Sequence, residues 1–193
     1  YREYNLNGKA VRVAVPVNLR PYFESVTTKN FFTVVSAEFK PEDDRSEYTF
    51  AEVAYIIRES LRQQMTREQL EKLFSYNVSN QMNILARAVP LPLKNIAIKT
   101  VYTKSALANT STVTNIGRIT VAPEYETYIR GFHAVLAMSA GQNLKGTVCS
   151  YKDTLTFTFS SRLEETHLQR RFFRTLAADG LKVTIETNGE YYD

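Results

Sequence analysis

The chain has 193 residues, 24 Lys and Arg against 20 Asp and Glu, two His, one Cys and no Trp. At 44% hydrophobic and 23% charged it is too apolar for a disordered segment and too varied for a fibre. No run reaches the roughly 18 apolar residues of a membrane span, and the lone Cys149 can close no internal disulfide, which points to a reducing compartment, the cytoplasm. The net charge of +4 is scattered among acids rather than gathered on one face, so a nucleic-acid module is not expected. No basic stretch followed by an apolar core opens the chain, as a secretory signal would. The chain begins at Tyr1 and enters strand-like sequence almost at once, as an excised piece of a larger protein would.

Residues 10–17 are rich in Val and read as a strand, with Pro16 marking a sheet edge or the strand's end. Asn18-Leu19-Arg20-Pro21 breaks the pattern, and 21–30 read as a loop. Residues 31–39 form a second strand, whose Phe31-Phe32 start predicts burial on both faces. A charged connector, 41–47, leads to Thr49-Phe50-Ala51-Glu52. This is a capping box, in which the Thr hydroxyl and the Glu carboxylate satisfy each other's free backbone N–H groups. Tyr48 and Val53 are placed for the accompanying staple, and Phe50, Val53, Ala54, Ile57 and Leu61 follow at helical spacing. A second box, Thr66 to Gln69, opens a helix with Leu70, Leu73, Phe74, Ile84 and Leu85 on its apolar side. Pro90 and Pro92 punctuate, and 93–107 read as a further helix.

Residues 111–121 look extended, with a break at Asn115-Ile116-Gly117. Residues 123–130 read as irregular. Three strands are then expected, at 131–138, 144–151 and 154–160, joined by turns at Gly141-Gln142-Asn143 and Lys152-Asp153. In the last, Leu155, Phe157 and Phe159 face one way, and Thr154, Thr156, Thr158 and Ser160 the other. A third capping box, Ser161 to Glu164, opens a helix with Leu168, Phe172, Leu176 and Ala177 inward, closed by Asp179-Gly180. Residues 181–186 alternate as a final strand. The expected fold is a single α/β domain over 1–193. It is a two-layer sandwich with a mixed, largely antiparallel sheet and helices packed on one face.

Catalytic constellations are missing. There is no P-loop, no dinucleotide-binding glycine loop and no Gly-x-Ser-x-Gly elbow. His133 and His167 are isolated from each other and from Cys149, so no metal ligand set is expected. His133 reads as a packed or hydrogen-bonded core histidine, His167 as a solvent-facing residue in the first turns of the last helix, and Cys149 as a small buried hydrophobe. Glu42-Asp43-Asp44 reads as a solvated loop and Glu190 to Asp193 as a frayed tail. Arg170, Arg171 and Arg174 are the densest basic spot and read as a solvated helix face.

Three motifs carry a resemblance: Val15-Pro16-Val17-Asn18-Leu19-Arg20 followed by Asn30-Phe31-Phe32; Thr114-Asn115-Ile116-Gly117; and the strand run from Phe132 to Phe159, then a helix over 164–178 and a closing strand. In this order they resemble the C-terminal lobe of the chloramphenicol-acetyltransferase-like superfamily, which includes condensation domains, wax-ester synthases and alcohol acetyltransferases. The resemblance implies half of a two-lobed enzyme with a tunnel between the lobes. An acyl thioester, on coenzyme A or a carrier pantetheine, enters from one side and an alcohol or amine acceptor from the other. No cofactor is bound permanently and no metal is used. The family's general base lies in a His-His-x-x-x-Asp motif of the N-terminal lobe. Neither His133 nor His167 has a second His beside it or an Asp four residues on. The chain alone is therefore expected to hold no catalytic residue and to be inactive, with the N-terminal lobe of the parent chain as its partner. By resemblance Thr114, Asn115 and Gly117 line the tunnel, and Arg20 and Asn30 are structural residues at the lobe interface. Asn115-Ile116-Gly117 also reads as a simple tight turn, and Arg170, Arg171 and Arg174 as a contact for coenzyme phosphates. The alternative function is a non-catalytic interaction or assembly module with the same fold. An isolated lobe would expose an apolar interface, which a homodimer would cover.

Overall fold

The computed structural model describes residues 10–41, 45, 47–82, 89–139 and 141–188. Ile84, Leu85, Glu42 to Asp44 and Glu190 to Asp193 lie outside them. The strands are β1 (Val11–Asn18), β2 (Phe32–Phe39), β3 (Ser111–Arg118), β4 (Leu144–Tyr151) and β5 (Thr154–Ser161). The helices are α1 (Phe50–Gln64), α2 (Arg67–Met82), α3 (Leu91–Leu107) and α4 (His167–Ala178), with a single 3-10 turn at Pro123–Tyr125. No described helix is long and apolar enough to cross a membrane.

The strands form one mixed sheet in the order β2-β1-β3-β4-β5. The outer pairs, β1/β2 and β4/β5, are antiparallel, and the inner pairs, β1/β3 and β3/β4, are parallel. The two antiparallel ladders run the full length of their strands while β1 and β3 pair only at Val13–Ser111 and Ala14–Thr112, so the sheet is mixed and largely antiparallel, as expected. The chain reaches β3 from β2 only through three helices, which is the long crossover that a parallel neighbour requires. Register places Val13, Val15 and Val17 on the same face as Val35, Val113, Gly146, Val148, Phe157 and Phe159. The helices cover this face from two ends. Val17, Leu19 and Val35 close with Leu70 of α2 into a buried cluster, and Leu61 and Met65 pack against it. At the far end Phe157 and Phe159 meet Phe172 of α4, with ring centroids 4.5 and 5.4 Å apart.

Pro16 lies near the end of an interior strand, so of the two expected places it takes the strand's end and not the sheet edge. Its placement follows from the ladder. Ser36 turns its N–H and C=O away from β1, toward Gln64, so Ala14–Ser36 is a pair without mutual hydrogen bonds. Pairs alternate, so Pro16–Val34, two residues on, is another. The imide nitrogen therefore points toward β3, whose ladder with β1 has already stopped at Ala14–Thr112. No donor is missed there.

β2 is the sheet edge and buries one face only: Thr33, Val35 and Ala37 are buried while Phe32 and Val34 are exposed, not the burial on both faces its aromatic start predicts. α1 manages this edge. The Gln64 amide accepts from Ser36 N–H at 3.1 Å and donates to Ser36 O at 2.8 Å, standing in for a sixth strand. α1 starts at the predicted capping box. Thr49 N–H donates to Glu52 Oε2 at 2.8 Å and Glu52 N–H to Thr49 Oγ1 at 3.3 Å. Tyr48 packs edge-on against Phe39. Of the second box the half from Gln69 N–H to Thr66 Oγ1 is present, at 3.3 Å.

Three expectations fail in the second half. Residues 131–138 alternate in burial as predicted, Phe132, Ala134, Leu136 and Met138 inward, but join no ladder. The segment lies over the sheet rather than beside it, and its carbonyls are taken by side chains of β4: Lys145 Nζ donates to Ala137 O at 2.8 Å and Cys149 Sγ to Phe132 O at 3.5 Å. The third capping box does not form. Ser161 Oγ instead accepts from Leu163 N–H at 3.0 Å in a local turn, and α4 begins only after Thr166, which makes no side-chain cap. Its inward set is shifted accordingly to Phe172, Phe173 and Leu176, leaving Leu168 and Ala177 exposed. Residues 181–186 pair with no strand among the described residues. The predicted helix end does hold. Gly180 takes φ 87°, with Gly180 N–H to Ala177 O and Leu181 N–H to Leu176 O, both 3.1 Å, as in a Schellman motif.

Candidate functional site

β3 is the middle strand, parallel to both neighbours, and in open sheets of this kind ligands gather at the carboxyl ends of parallel strands. That end of β3 carries Thr114-Asn115-Ile116-Gly117. Asn115 stands opposite Val148 and Gly117 opposite Cys149, so Ile116 is the extra residue of a β-bulge. Gly117 adopts φ 82°, a left-handed conformation that favours glycine. Its N–H donates to Asn115 Oδ1 at 2.9 Å, which ties the Asn115 side chain into the turn. The bulge also changes which residues share a face. Without it Thr114 and Gly117, three apart, would look to opposite sides. With it both stand in rows with β4 residues of one face, Thr114 by Thr147 and Gly117 by Cys149. A Cβ added at Gly117 would meet nothing within 4 Å, so the backbone there borders open space.

This face lies opposite the helices and is polar across three strands. Register gives the rows Thr112–Lys145–Ser160 and Thr114–Thr147–Thr158, with Cys149–Thr156 and Tyr151–Thr154 beyond. Residues 131–138 cross it, with Phe132 edge-on to Tyr151 at 5.1 Å between centroids. Lys145, Thr147, Cys149 and Tyr151 are all buried. Lys145 gives one hydrogen bond to Ala137 O, and Thr112 Oγ1 bonds Gln142 Oε1 at 2.9 Å. The hydroxyls of Thr147, Tyr151 and Ser160 are buried with no hydrogen-bond partner among the described residues. All three stand on this face, alongside Lys145 and Cys149.

Arg20 and Asn30 sit at the same end of the sheet, because β1 runs parallel to β3. Arg20 holds the loop: its guanidinium donates to Thr27 O at 3.1 Å and Lys29 O at 2.7 Å, and to Asn18 Oδ1 at 3.3 Å. Asn30 is exposed. The structure thus brings Thr114 and Gly117 onto one face, turns Asn115 into its own backbone, and places Arg20 and Asn30 on a neighbouring loop. Sequence reasoning missed Lys145, Thr147, Tyr151 and Ser160 as a group. Their signal was the Thr and Ser alternation of 154–160, readable as one wet face, without the register that sets β4 beside it.

His133 is corrected from core to surface: its side chain is 60% exposed and lies 3.7 Å from Glu186. His167 is exposed at the start of α4, as expected. Arg170, Arg171 and Arg174 are exposed on α4. Cys149 is buried with its thiol on Phe132 O, and nothing within the described residues pairs it with a base. No group of three or more His, Cys, Asp or Glu among the described residues is placed to hold a metal ion. Among the described residues the face carries an ammonium and several hydroxyls and no paired nucleophile and base. Searches of protein-family models, curated proteins and solved structures return no match to the chain.

Proposed function

We propose that the chain is the substrate-binding half of an acyltransferase that moves an acyl group from a thioester of coenzyme A or carrier pantetheine to an alcohol or amine. The observation that supports it is the bulge of β3, which sets Thr114 and the open backbone at Gly117 on one polar face beside the unpartnered Thr147 hydroxyl. An amide-rich pantetheine arm offers the acceptors such donors need, and glycine lets it approach the backbone. The acceptor must lose a proton as it attacks the thioester, and the base is supplied by a separate N-terminal lobe. On this reading Arg20 and Asn30 face that lobe, and the chain works in the cytoplasm. The test is calorimetric titration of the full chain with acetyl-coenzyme A, alongside an acetyl-transfer assay with simple alcohols. Binding without turnover, and turnover once an upstream lobe carrying His-His-x-x-x-Asp is co-expressed, is the expected result. Turnover by the chain alone, or no binding, overturns the reading.

A second reading, a non-catalytic assembly module of the same fold, is favoured by α3. Leu91, Leu93, Ile96, Ile98, Val101 and Leu107 are all exposed and spread around its axis, as in a helix that packs on every side. An upstream coding sequence without His-His-x-x-x-Asp would decide for it.

A further inference from the structure

We infer that α1 is a docking site for an acidic amphipathic helix of a partner protein, independent of the polar face of the sheet. A shallow, open trough runs along α1, lined by residues of that helix and its C-cap alone. Phe50, Val53, Ala54, Ile57, Leu61 and Met65 line it, with Arg58 and Arg62 beside them. No residue of α1 is buried, and Phe50 at its open end is 89% exposed. The apolar positions 50, 53/54, 57 and 61 repeat at the three- and four-residue spacing by which one helix receives another. At about 1.5 Å per residue, the 15 residues of α1 offer about 22 Å, enough for a partner of four turns.

Charge selects the occupant. Arg58 and Arg62 are one turn apart, and Arg62 lies 3.9 Å from Glu59 of the same helix. Flanking charges of this kind set partner choice in paired helices. They favour carboxylates on the incoming helix and disfavour α3 and α4 of a second copy. α3 carries three lysines and no acid, and α4 three arginines and no acid. A second copy presenting either would bring like charge to like.

The experiment uses the full chain and two fluorescent 18-residue helical peptides. Both carry Leu at the spacing of the trough; one is flanked by Glu and the other by Lys. Fluorescence anisotropy at low salt should show the Glu peptide binding about tenfold or more tighter than the Lys peptide, with the difference shrinking as salt is added. The double variant R58E/R62E should invert the preference. Phe50→Ser, at an exposed position, should weaken both peptides while leaving the thermal melt in place. Equal binding of the two peptides, binding of neither, or a preference untouched by R58E/R62E overturns the inference. So does self-association in sedimentation that Phe50→Ser abolishes, since the occupant is then a second copy.

Discussion

Replacing Gly117 by Ala separates a turn residue from a substrate-facing one. A methyl there meets no atom within 4 Å, so there is no clash to relieve. The cost is conformational: φ is 82°, and a residue with a Cβ pays about 1–2 kcal/mol in the left-handed region. For a chain of this size about 1 kcal/mol moves Tm by about 2–4 °C, so Gly117→Ala should melt about 2–8 °C lower. Asn115→Ala removes the 2.9 Å bond from Gly117 N–H and should cost about 1 kcal/mol. It differs in adding no atom to the polar face. If that face receives an acyl thioester, the methyl of Gly117→Ala stands in the ligand's path. It should then weaken binding about tenfold, a loss of about 1.4 kcal/mol, while Asn115→Ala leaves affinity within about twofold of the parent. Denaturant unfolding gives the stabilities, and calorimetric titration with acetyl-coenzyme A the affinities. Gly117→Ala that is destabilised yet binds as the parent does would make Gly117 a turn residue only. Gly117→Ala with unchanged stability would refute the backbone argument.

Glu52 is held well below its ordinary value of 4.5, at about 2, first by the Thr49 N–H and then by Arg45 and the Thr49 hydroxyl. A depressed carboxyl stabilises above its unfolded value and stops doing so as pH falls through the folded one. Protection of the amides at the start of α1, relative to their intrinsic exchange rates, should therefore fall between about pH 4.5 and 2, and E52Q should lack that dependence; an identical profile in E52Q would discredit the cap. Gln64→Ala strips Ser36 of two bonds of 2.8 and 3.1 Å and should cost about 1–3 kcal/mol, with faster exchange of the Ser36 amide, measured by NMR; unchanged protection at Ser36 would argue against edge capping. Phe172→Ala empties a four-phenylalanine cluster in which Phe172 is half-buried, so it should cost about 2 kcal/mol, about half the loss for a fully buried ring. Calorimetric melting checks it, and a change under about 0.5 kcal/mol would show that α4 is not seated there.

Legibility follows from which signals are local. The capping box at Thr49 works because its partners are three residues apart, and Gly180 because a left-handed helix end involves one residue and its neighbours. The bulge at Asn115 to Gly117 was readable as a break, since Asn and Gly carry turn chemistry themselves. What it does could not be read: moving Gly117 onto the face of Thr114 depends on β4 lying alongside. The same holds for Pro16, whose tolerance is set by where the β1–β3 ladder stops. Ser161 to Glu164 shows the converse, a correct local pattern outcompeted when Ser161 Oγ bonded Leu163 N–H instead. Residues 131–138 and 181–186 have strand periodicity, but periodicity states only that alternate side chains differ in burial. It does not choose between lying in a sheet and lying across one.

The mismatches share a cause. At the Phe50 end of α1, in α3 and in 181–186, apolar patterning promises burial and the described residues provide little cover. Among the described residues eight hydrophobic side chains are buried while 25 large ones are exposed. Local patterns in a folded protein normally agree with its global packing, so consistent apolar stripes without cover mark surfaces made for contact. The polar face of the sheet poses the inverse problem, hydroxyls enclosed without partners. An isolated two-layer fold would gain stability by exchanging the two kinds of surface.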